Sequence, residues 1–368
     1  MAEIRVESLH KAFADFVAVK DSSFTVRDGE FFCLLGPSGC GKTTTLRMIA
    51  GLELPTSGRI FLGGEDVTFK RASHRDIAFV FQLFALYPHL NVRRNIAFPL
   101  VSQGMPKAEI AAKVAEAARI LRITHLLDSS VSGLSSGDRQ RVALGRAIVR
   151  NPLAFMMDEP LGALDAEFRE LMCNELRGLH DRLKATTVYV THDQMEAMAM
   201  ADTIAIMNRG VIEQLGAPQE VYDRPASVFV ADFIGAPAMN FIPFAGAYAA
   251  GANEVRVGDA RIVVPALAEG VSERPLLCGV RPEHVRFDAD SALRAEVLGI
   301  EYLGHSQIVT LNTAVGSMLR AKVGVERPVA RGDQVGLAFD AAAVSLFDTA
   351  SGRALALDRG VAGAAGHG

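Results

Sequence analysis

The chain has 368 residues, of which 49% are hydrophobic and 22% charged, a composition typical of a globular protein large enough for two domains. Its formal net charge of −4 and its scattered Lys and Arg residues provide no basic field, which disfavours nucleic acid as a partner. The four cysteines show neither CxxC spacing nor Cys/His pairing, which disfavours a zinc site or a disulfide framework and fits a reducing compartment.

The first 13 residues, MAEIRVESLHKAF, lack the basic and then apolar order of a secretion signal, and their alternation predicts an edge strand. Up to about residue 235, short apolar runs then alternate with amphipathic helical stretches. This pattern indicates a mainly parallel sheet covered by helices. The predicted strands are residues 31–36, 77–82, 153–158, 186–192 and 203–208, and a helix over residues 107–122 is inserted between the second and the third.

Residues 36–43 read GPSGCGKT, between an apolar strand and a predicted helix. In this P-loop pattern the backbone N–H groups surround the β-phosphate, Lys42 reaches the β- and γ-phosphates and Thr43 ligates Mg²⁺. The alternative is an ordinary Gly-rich turn. At a helix N-terminus, the Cys40 thiol is expected to have a lowered pKa and to react with thiol reagents unless ATP protects it. The residues assigned to the nucleotide here are Gly36, Pro37, Ser38, Gly39, Cys40, Gly41, Lys42, Thr43 and Thr44.

Acidic and imidazole side chains follow two later strands. Asp158 and Glu159 end the third predicted strand, at the same sheet edge as the P-loop, where Asp158 is expected to hold Mg²⁺ through water and Glu159 to polarise the attacking water. The alternative is a pair that caps a helix. His192 ends the next strand and is expected to sense the γ-phosphate, although a lone histidine there is more often an ordinary surface or core residue.

Residues 233–252 are uncharged but interrupted by glycine and proline, which predicts a linker rather than a membrane span. Short strand-like segments with turn residues follow, and they predict a small β-barrel or sandwich. These segments are residues 254–259, 261–266, 276–282, 294–304, 306–313, 317–324 and 334–340. We therefore expect an α/β domain at 1–235, a β-rich domain at 236–352 and a disordered tail at 353–368.

A second turn of small residues opens a helix at residues 134–147, LSSGDRQRVALGRA. The order of P-loop, LSSGD, acidic pair, LGALD and strand-ending histidine resembles the ATP-binding subunits of ABC transporters. By that resemblance, LSSGD is the signature sequence of the family, and two subunits pair head to tail so that the signature of one covers the γ-phosphate held by the other. Ser135 and the backbone N–H of Gly137 would then be a second set of anion donors, and hydrolysis would need dimer closure.

The same resemblance assigns further residues. Phe13 stands where the family has an aromatic ring that stacks on adenine, although an aromatic residue in such a strand is also commonly core. Gln82 stands where a glutamine contacts Mg²⁺ and the attacking water and relays to the membrane subunit. Asp165 in LGALD matches the loop that couples the two nucleotide sites.

The signature departs from the usual LSGGQ at two positions: Ser136 replaces a glycine and Asp138 replaces the glutamine. An acid near a bound polyanion would repel it, so we expect Asp138 to point outward or to pair with Arg139 or Arg141. With that geometry, Asp138→Gln is expected to leave the ATPase rate within a few-fold.

An apolar stretch, residues 84–90, follows Gln82. It is expected to form a groove for a helix of the membrane-spanning subunits, with plain core packing as the alternative.

The junction FIGAPAMNFIPF (233–244) and GVRPEHVRF (279–287) look like the C-terminal regulatory domain, an OB-like barrel, of importer ATPases for sugars, polyols and glycerol-3-phosphate. Polyamine, ferric-iron and phosphonate importers also carry such a domain. The resemblance implies ATP and Mg²⁺ as cofactors, and a second ATPase subunit, identical or paralogous, as partner. It also implies two permease subunits, a solute-binding protein and a peripheral place on the cytoplasmic face of the bacterial inner membrane. Nucleic acid is not an expected partner.

A non-transport ABC ATPase of DNA repair or translation is a further alternative, but such proteins usually carry two modules in one chain or a long coiled-coil insertion. A GTPase or kinase would have no use for LSSGD, and the chain has no NKxD motif.

Overall fold

The computed structural model describes residues 2–82, 84–162 and 164–358. The chain divides into two compact units between Pro218 and Gln219. The described residues of the first unit form the strands β1 Ile4–Phe13, β2 Phe16–Val26, β3 Phe31–Leu35, β4 Ser57–Leu62, β5 Glu65–Asp66, β6 Ile77–Val80, β7 Ala154–Asp158, β8 Thr186–Thr191, β9 Thr203–Asn208 and β10 Val211–Gly216. Its α-helices are α1 Lys42–Ile49, α2 Val92–Ser102, α3 Lys107–Ile120, α4 Ser136–Ile148, α5 Ala166–Leu183 and α6 Gln194–Met200.

The larger sheet of this unit has the strand order β10-β9-β3-β8-β7-β6, in which only β10 is antiparallel to its neighbour. Every residue of β3, β7 and β8 is buried, as expected for strands covered by helices on both faces. The five strands predicted from apolar runs and the inserted helix α3 are confirmed. Because the strands are parallel, their carboxyl ends meet at one edge of the sheet, where a site can form.

A second, antiparallel sheet has the order β2-β1-β4-β5. Strand β1 pairs with both β2 and β4, so the expectation of an edge strand over the first 13 residues was wrong. Alternation along a strand reports that one face is buried, but it does not report how many neighbours the strand has.

Arg75 fastens the end of helix α1 to the antiparallel sheet region. The side chain is 1% exposed and donates hydrogen bonds of 2.7 to 3.0 Å to four backbone carbonyls. Two of these carbonyls belong to Met48 and Ile49 in the last turn of α1, where carbonyls lack helical partners. Burial lowers the pKa of Arg75 to about 10. The far end of the P-loop helix is thereby held in place.

The second unit is a small all-β domain preceded by two short helices, α7 Pro218–Asp223, which starts at the division, and α8 Val228–Phe233. Its strands are β11 Asn240–Tyr248, β12 Glu254–Val257, β13 Ala260–Val263, β14 Ala266–Leu267, β15 Val271–Val280, β16 Val285–Phe287, β17 Arg294–Tyr302, β18 Ser306–Thr313, β19 Met318–Gly324, β20 Gln334–Phe339, β21 Ser345–Asp348 and β22 Leu357–Asp358. All seven predicted strand segments contain a strand.

Two expectations for this unit were wrong. The stretch expected to be a linker contains β11, which pairs with β15. The segment expected to be a disordered tail contains β22, which pairs with β14, and the rest of that segment, residues 359–368, lies outside the described residues. Within the described part of the chain, no helix is both long and apolar enough to span a bilayer.

Arg281, in the GVRPEH sequence, holds two segments of the second unit together. Its guanidinium is 2% exposed, stacks 3.7 Å from the centre of the Tyr222 ring and donates to the carbonyls of Tyr222 and Ile234. The arginine thus fastens α7 and the end of α8 to strand β15, and its role is structural.

Candidate nucleotide-binding site

The P-loop, residues 36–43, connects the buried strand β3 to helix α1. Helix α1 begins at Lys42, whose side chain is buried and whose Nζ donates to the carbonyls of Gly36 (2.8 Å) and Pro37 (3.0 Å). The ammonium group therefore lies inside the loop, where an anion enclosed by the backbone would meet it.

Glycine is required in this loop for reasons that lie within the protein itself. A Cβ on Gly36 would stand 2.3 Å from the carbonyl oxygen of Met207 on β9, and one on Gly41 would stand 2.4 Å from that of Ala18 on β2. Gly41 also has a φ of 108°, which side chains disfavour. Gly39 has a φ of 79° but open space around it. Both sheets of the unit thus contact the loop closely.

Thr43 and Asp158 meet across the sheet edge. Thr43 Oγ1 donates to Asp158 Oδ1 over 2.9 Å, although 115 residues separate them in sequence. Burial raises the pKa of Asp158, and the hydrogen bond from Thr43 partly opposes that shift. A hydroxyl and a carboxylate oxygen side by side fit Mg²⁺, which is usually held by one or two protein oxygens together with phosphate oxygens and water. No cluster of three metal-binding side chains occurs among the described residues.

The three residues assigned to catalysis lie together. Glu159 Oε2 lies 3.4 Å from Gln82 Nε2 and 3.3 Å from His192 Nδ1. Glu159 follows β7 with a φ of 44°, and its N–H donates to the carbonyl of Val190 on β8. The carboxylate is 21% exposed, so water reaches it. A carboxylate held by an amide and an imidazole can accept a proton from water.

Phe13 lies at the tip of the β1–β2 hairpin, where it pairs with Phe16. Phe13 is 43% exposed and Phe16 60% exposed, so neither is a core residue. The ammonium group of Lys11 lies 4.6 Å from the centre of the Phe13 ring, so one face of the ring is covered. Sequence reasoning passed over Phe16, although an aromatic residue next to a short turn was a visible signal.

The expectation for Cys40 was wrong. Its side chain is 3% exposed, and burial raises the pKa of the thiol despite the nearby Lys42 and backbone N–H groups, which lower it. Burial disfavours the thiolate more than the helix end favours it.

Ser135 caps helix α4, since its Oγ accepts from the N–H of Asp138. A Cβ on Gly137 would stand 2.1 Å from Cε1 of Phe168, so this glycine lets α4 approach α5 closely. The expectation that Asp138 pairs with Arg141 is confirmed at 3.2 Å. In the described residues, no hydrogen bond or ion pair joins the signature turn, residues 135–138, to the P-loop.

Asp165 caps helix α5, with its carboxylate accepting from the N–H of Phe168 over 2.9 Å. Arg169, the residue after Phe168, donates to the Leu164 carbonyl and pairs with Asp193 at 2.8 Å. Asp193 follows His192, so this arginine ties the Asp165 loop to the segment that carries His192.

The segment after Gln82 is held by helix α4. Arg146 donates to the carbonyls of Ala85 (2.7 Å) and Phe84 (3.0 Å), and its guanidinium lies 5.3 Å from the centre of the Tyr87 ring. Phe84 and Ala85 both have positive φ values, which this arginine stabilises. Sequence reasoning missed Arg146, for which a basic residue in an Ala-rich helix was the only signal.

Fold and site together define a P-loop nucleoside triphosphatase, in which a second turn of small residues, capped by Ser135, starts helix α4. A family model described as ABC transporter matches residues 19–162, and one described as TOBE domain matches residues 278–347. The chain belongs to the ABC transporter ATP-binding family and carries a TOBE domain, and it therefore binds and hydrolyses ATP.

Its relatives extend over almost the whole chain. It is 46% identical to the trehalose import ATP-binding protein SugC of Mycobacterium tuberculosis, with 97% of this chain and 99% of the relative covered. It is also 46% identical to the trehalose/maltose import ATP-binding protein MalK of Thermococcus litoralis (96% and 100% covered). The sn-glycerol-3-phosphate import ATP-binding protein UgpC of Cereibacter sphaeroides is 44% identical (96% and 100% covered).

Among solved structures, cbiO1 of Clostridium perfringens, part of the ABC transporter complex cbiONQ, matches with a TM-score of 0.56 and 28% identity, covering 59% of this chain and 89% of that one.

Proposed function

We propose that this chain is the ATP-hydrolysing subunit of an importer for a carbohydrate, a polyol or glycerol-3-phosphate. The relatives named above are import proteins for trehalose, maltose and sn-glycerol-3-phosphate, and each matches at least 96% of the chain, including the all-β unit. The agreement over both units supports the importer class.

The single observation that carries the mechanism is the separation of the two anion-binding turns. The P-loop and the signature turn each offer donors at a helix N-terminus, yet no hydrogen bond or ion pair among the described residues joins them. Two copies that pair head to tail would bring the signature turn of one onto the γ-phosphate held by the other. One complete site then needs two chains.

Within one half of the site, the chain positions the reacting groups. Lys42 and the backbone N–H groups of the P-loop hold the phosphates, and Glu159 takes a proton from the attacking water. Gln82 and His192 orient the Glu159 carboxylate, at 3.4 and 3.3 Å. Mg²⁺, held by Thr43 and Asp158, would neutralise phosphate charge.

The membrane-spanning partners would dock next to Gln82. A cavity of about 330 Å³ lies there, lined by Phe84, Leu86, Pro88, Val131, Ser132 and Arg139. A cavity lined by both apolar side chains and the polar groups of Ser132 and Arg139 suits a short amphipathic helix. Movement at Gln82 on ATP binding would pass to that helix. The chain would then be peripheral to the membrane, on its cytoplasmic face, with two permease subunits and a solute-binding protein.

The proposal is tested by stimulation. In vesicles that hold the permease subunits encoded beside this chain, a binding protein loaded with its solute should raise the ATPase rate at least several-fold over the isolated chain. An ATPase rate that rises with ribosomes or DNA, and does not change in the presence of the membrane complex, would contradict the proposal.

The paired site is tested with Glu159→Gln, which removes the proton acceptor but keeps the shape. This variant should form a dimer with ATP, detectable by analytical ultracentrifugation, and should not turn over. A variant that hydrolyses ATP readily would remove Glu159 from its role.

A further inference from the structure

The hydroxyl of Ser135 uses its proton in a hydrogen bond within the chain. Ser135 Oγ donates to Asp138 Oδ2 over 2.7 Å and accepts from the backbone N–H of Asp138 over 3.1 Å. A serine hydroxyl has one proton to donate. While that proton bonds to Asp138, the hydroxyl has none for a phosphate oxygen.

Asp138 is itself held in place from two helices. Its other oxygen, Oδ1, accepts from Arg141 Nη1 over 3.2 Å. Arg141 in turn reaches both carboxylate oxygens of Glu175 on α5, over 3.1 to 3.3 Å. All three charged side chains are less than a third exposed, so these charge-assisted bonds are screened less than surface pairs. The carboxylate therefore stays next to the Ser135 hydroxyl.

We propose that Asp138 is a positioning residue that withholds the Ser135 hydroxyl from the γ-phosphate and so raises the ATP concentration needed for two copies to close. The inference rests on the proposed function, in which Ser135 covers the nucleotide of the partner. A carboxylate only accepts, whereas the amide of an asparagine, or of the glutamine usual in the family, also carries an NH2 group that can donate to the serine oxygen. With the amide nitrogen facing Ser135, the hydroxyl proton is free to bond to the phosphate.

The first test separates KM from kcat in the ATPase reaction of the full chain. Asp138→Asn should lower the KM for ATP about fivefold, the change that one net hydrogen bond produces, while kcat stays within a few-fold. Asp138→Gln should act in the same direction. The matched control is Asp128→Asn, which removes a carboxylate paired with Arg93 at 3.0 Å on the exposed surface and should leave KM unchanged. An unchanged KM in both Asp138 variants, with their thermal unfolding as in the parent chain, overturns the inference.

The second test asks whether Asp138 acts through the hydroxyl. In the Glu159→Gln chain, the ATP concentration for half-maximal dimerisation should fall with Asp138→Asn, but it should not change when Ser135→Ala is already present. A fall of equal size without the hydroxyl would mean that the charge of Asp138 acts directly, which overturns the inference alone. A Glu159→Gln chain that stays monomeric with ATP overturns the proposed function as well.

Discussion

Gly41 at the start of helix α1 offers a quantitative test of how the fold shapes the P-loop. Gly41→Ala combines two costs. Its φ of 108° strains a residue with a side chain by about 1–3 kcal/mol, and the 2.4 Å approach to the Ala18 carbonyl adds about 1–3 kcal/mol of overpacking. The backbone of β2 cannot move aside cheaply, because Lys20 on the same strand donates to the Gly210 carbonyl over 2.7 Å.

Gly39→Ala is the matched variant in the same loop. Gly39 also has a positive φ, 79°, but a Cβ there would meet nothing within 4 Å. It therefore has only the strain, about 1–3 kcal/mol, and both variants gain equally from a stiffer unfolded chain. The predicted difference between them, about 1–3 kcal/mol, isolates the contact with Ala18.

The measurement is urea unfolding without nucleotide, followed by far-ultraviolet circular dichroism, which reports mainly the first unit because α1–α6 lie there. Gly41→Ala should unfold at clearly lower urea than Gly39→Ala. If the two free energies of unfolding agree within about 0.5 kcal/mol, the contact with the antiparallel sheet does not constrain the loop, and the steric argument is refuted.

Two further predictions concern buried groups of the site. Since burial raises the pKa of the Cys40 thiol, the nucleotide-free chain should react with thiol reagents more slowly than an exposed peptide cysteine at neutral pH; an equal or faster rate would contradict the burial. Burial raises the pKa of Asp158 above its ordinary value of 3.8, so the stability that this carboxyl contributes is lost as the pH rises through its folded pKa. Without Mg²⁺, Asp158→Asn should therefore raise the free energy of unfolding at pH 7 but not at pH 3. Asp66→Asn, at a carboxylate whose pKa is lowered by Thr68, should show the opposite sign, and a loss at both sites would refute the assignment.

The parallel sheet was predictable because its strands are buried on both faces and leave short, continuous apolar runs. The number of strands that flank a strand was not predictable: β1, expected at an edge, pairs with both β2 and β4. Pro243 and its neighbouring glycines indicated a linker, yet Pro243 is exposed in β11. Strand β11 lies at the edge of its sheet, where proline is tolerated. Sequence reasoning counted the proline as a breaker without knowing its place in the sheet.

For the site, the contiguous motifs were predictable and their surroundings were not. The sign of the Cys40 pKa shift depends on burial by distant segments, which outweighs the local helix end. The approach of Gly137 to Phe168 depends on how α4 packs against α5, and the grip of Arg146 on residues 84–85 bridges 61 and 62 residues of sequence. A local sequence pattern can mark a residue such as Arg146, but it does not identify the distant residues that it contacts.

The segment of residues 84–87 lies between Gln82 and helix α4. Gln82, just before it, contacts Glu159, and Arg146 fastens Phe84 and Ala85 to helix α4. In the proposed dimer, Glu159 would act on the ATP of its own chain, and the start of α4 would face the ATP of the neighbour. A displacement of this segment by a membrane partner would therefore affect both nucleotide sites at the same time. Movement of this one segment would then couple the hydrolysis of the two ATP molecules, so that both sites would act together.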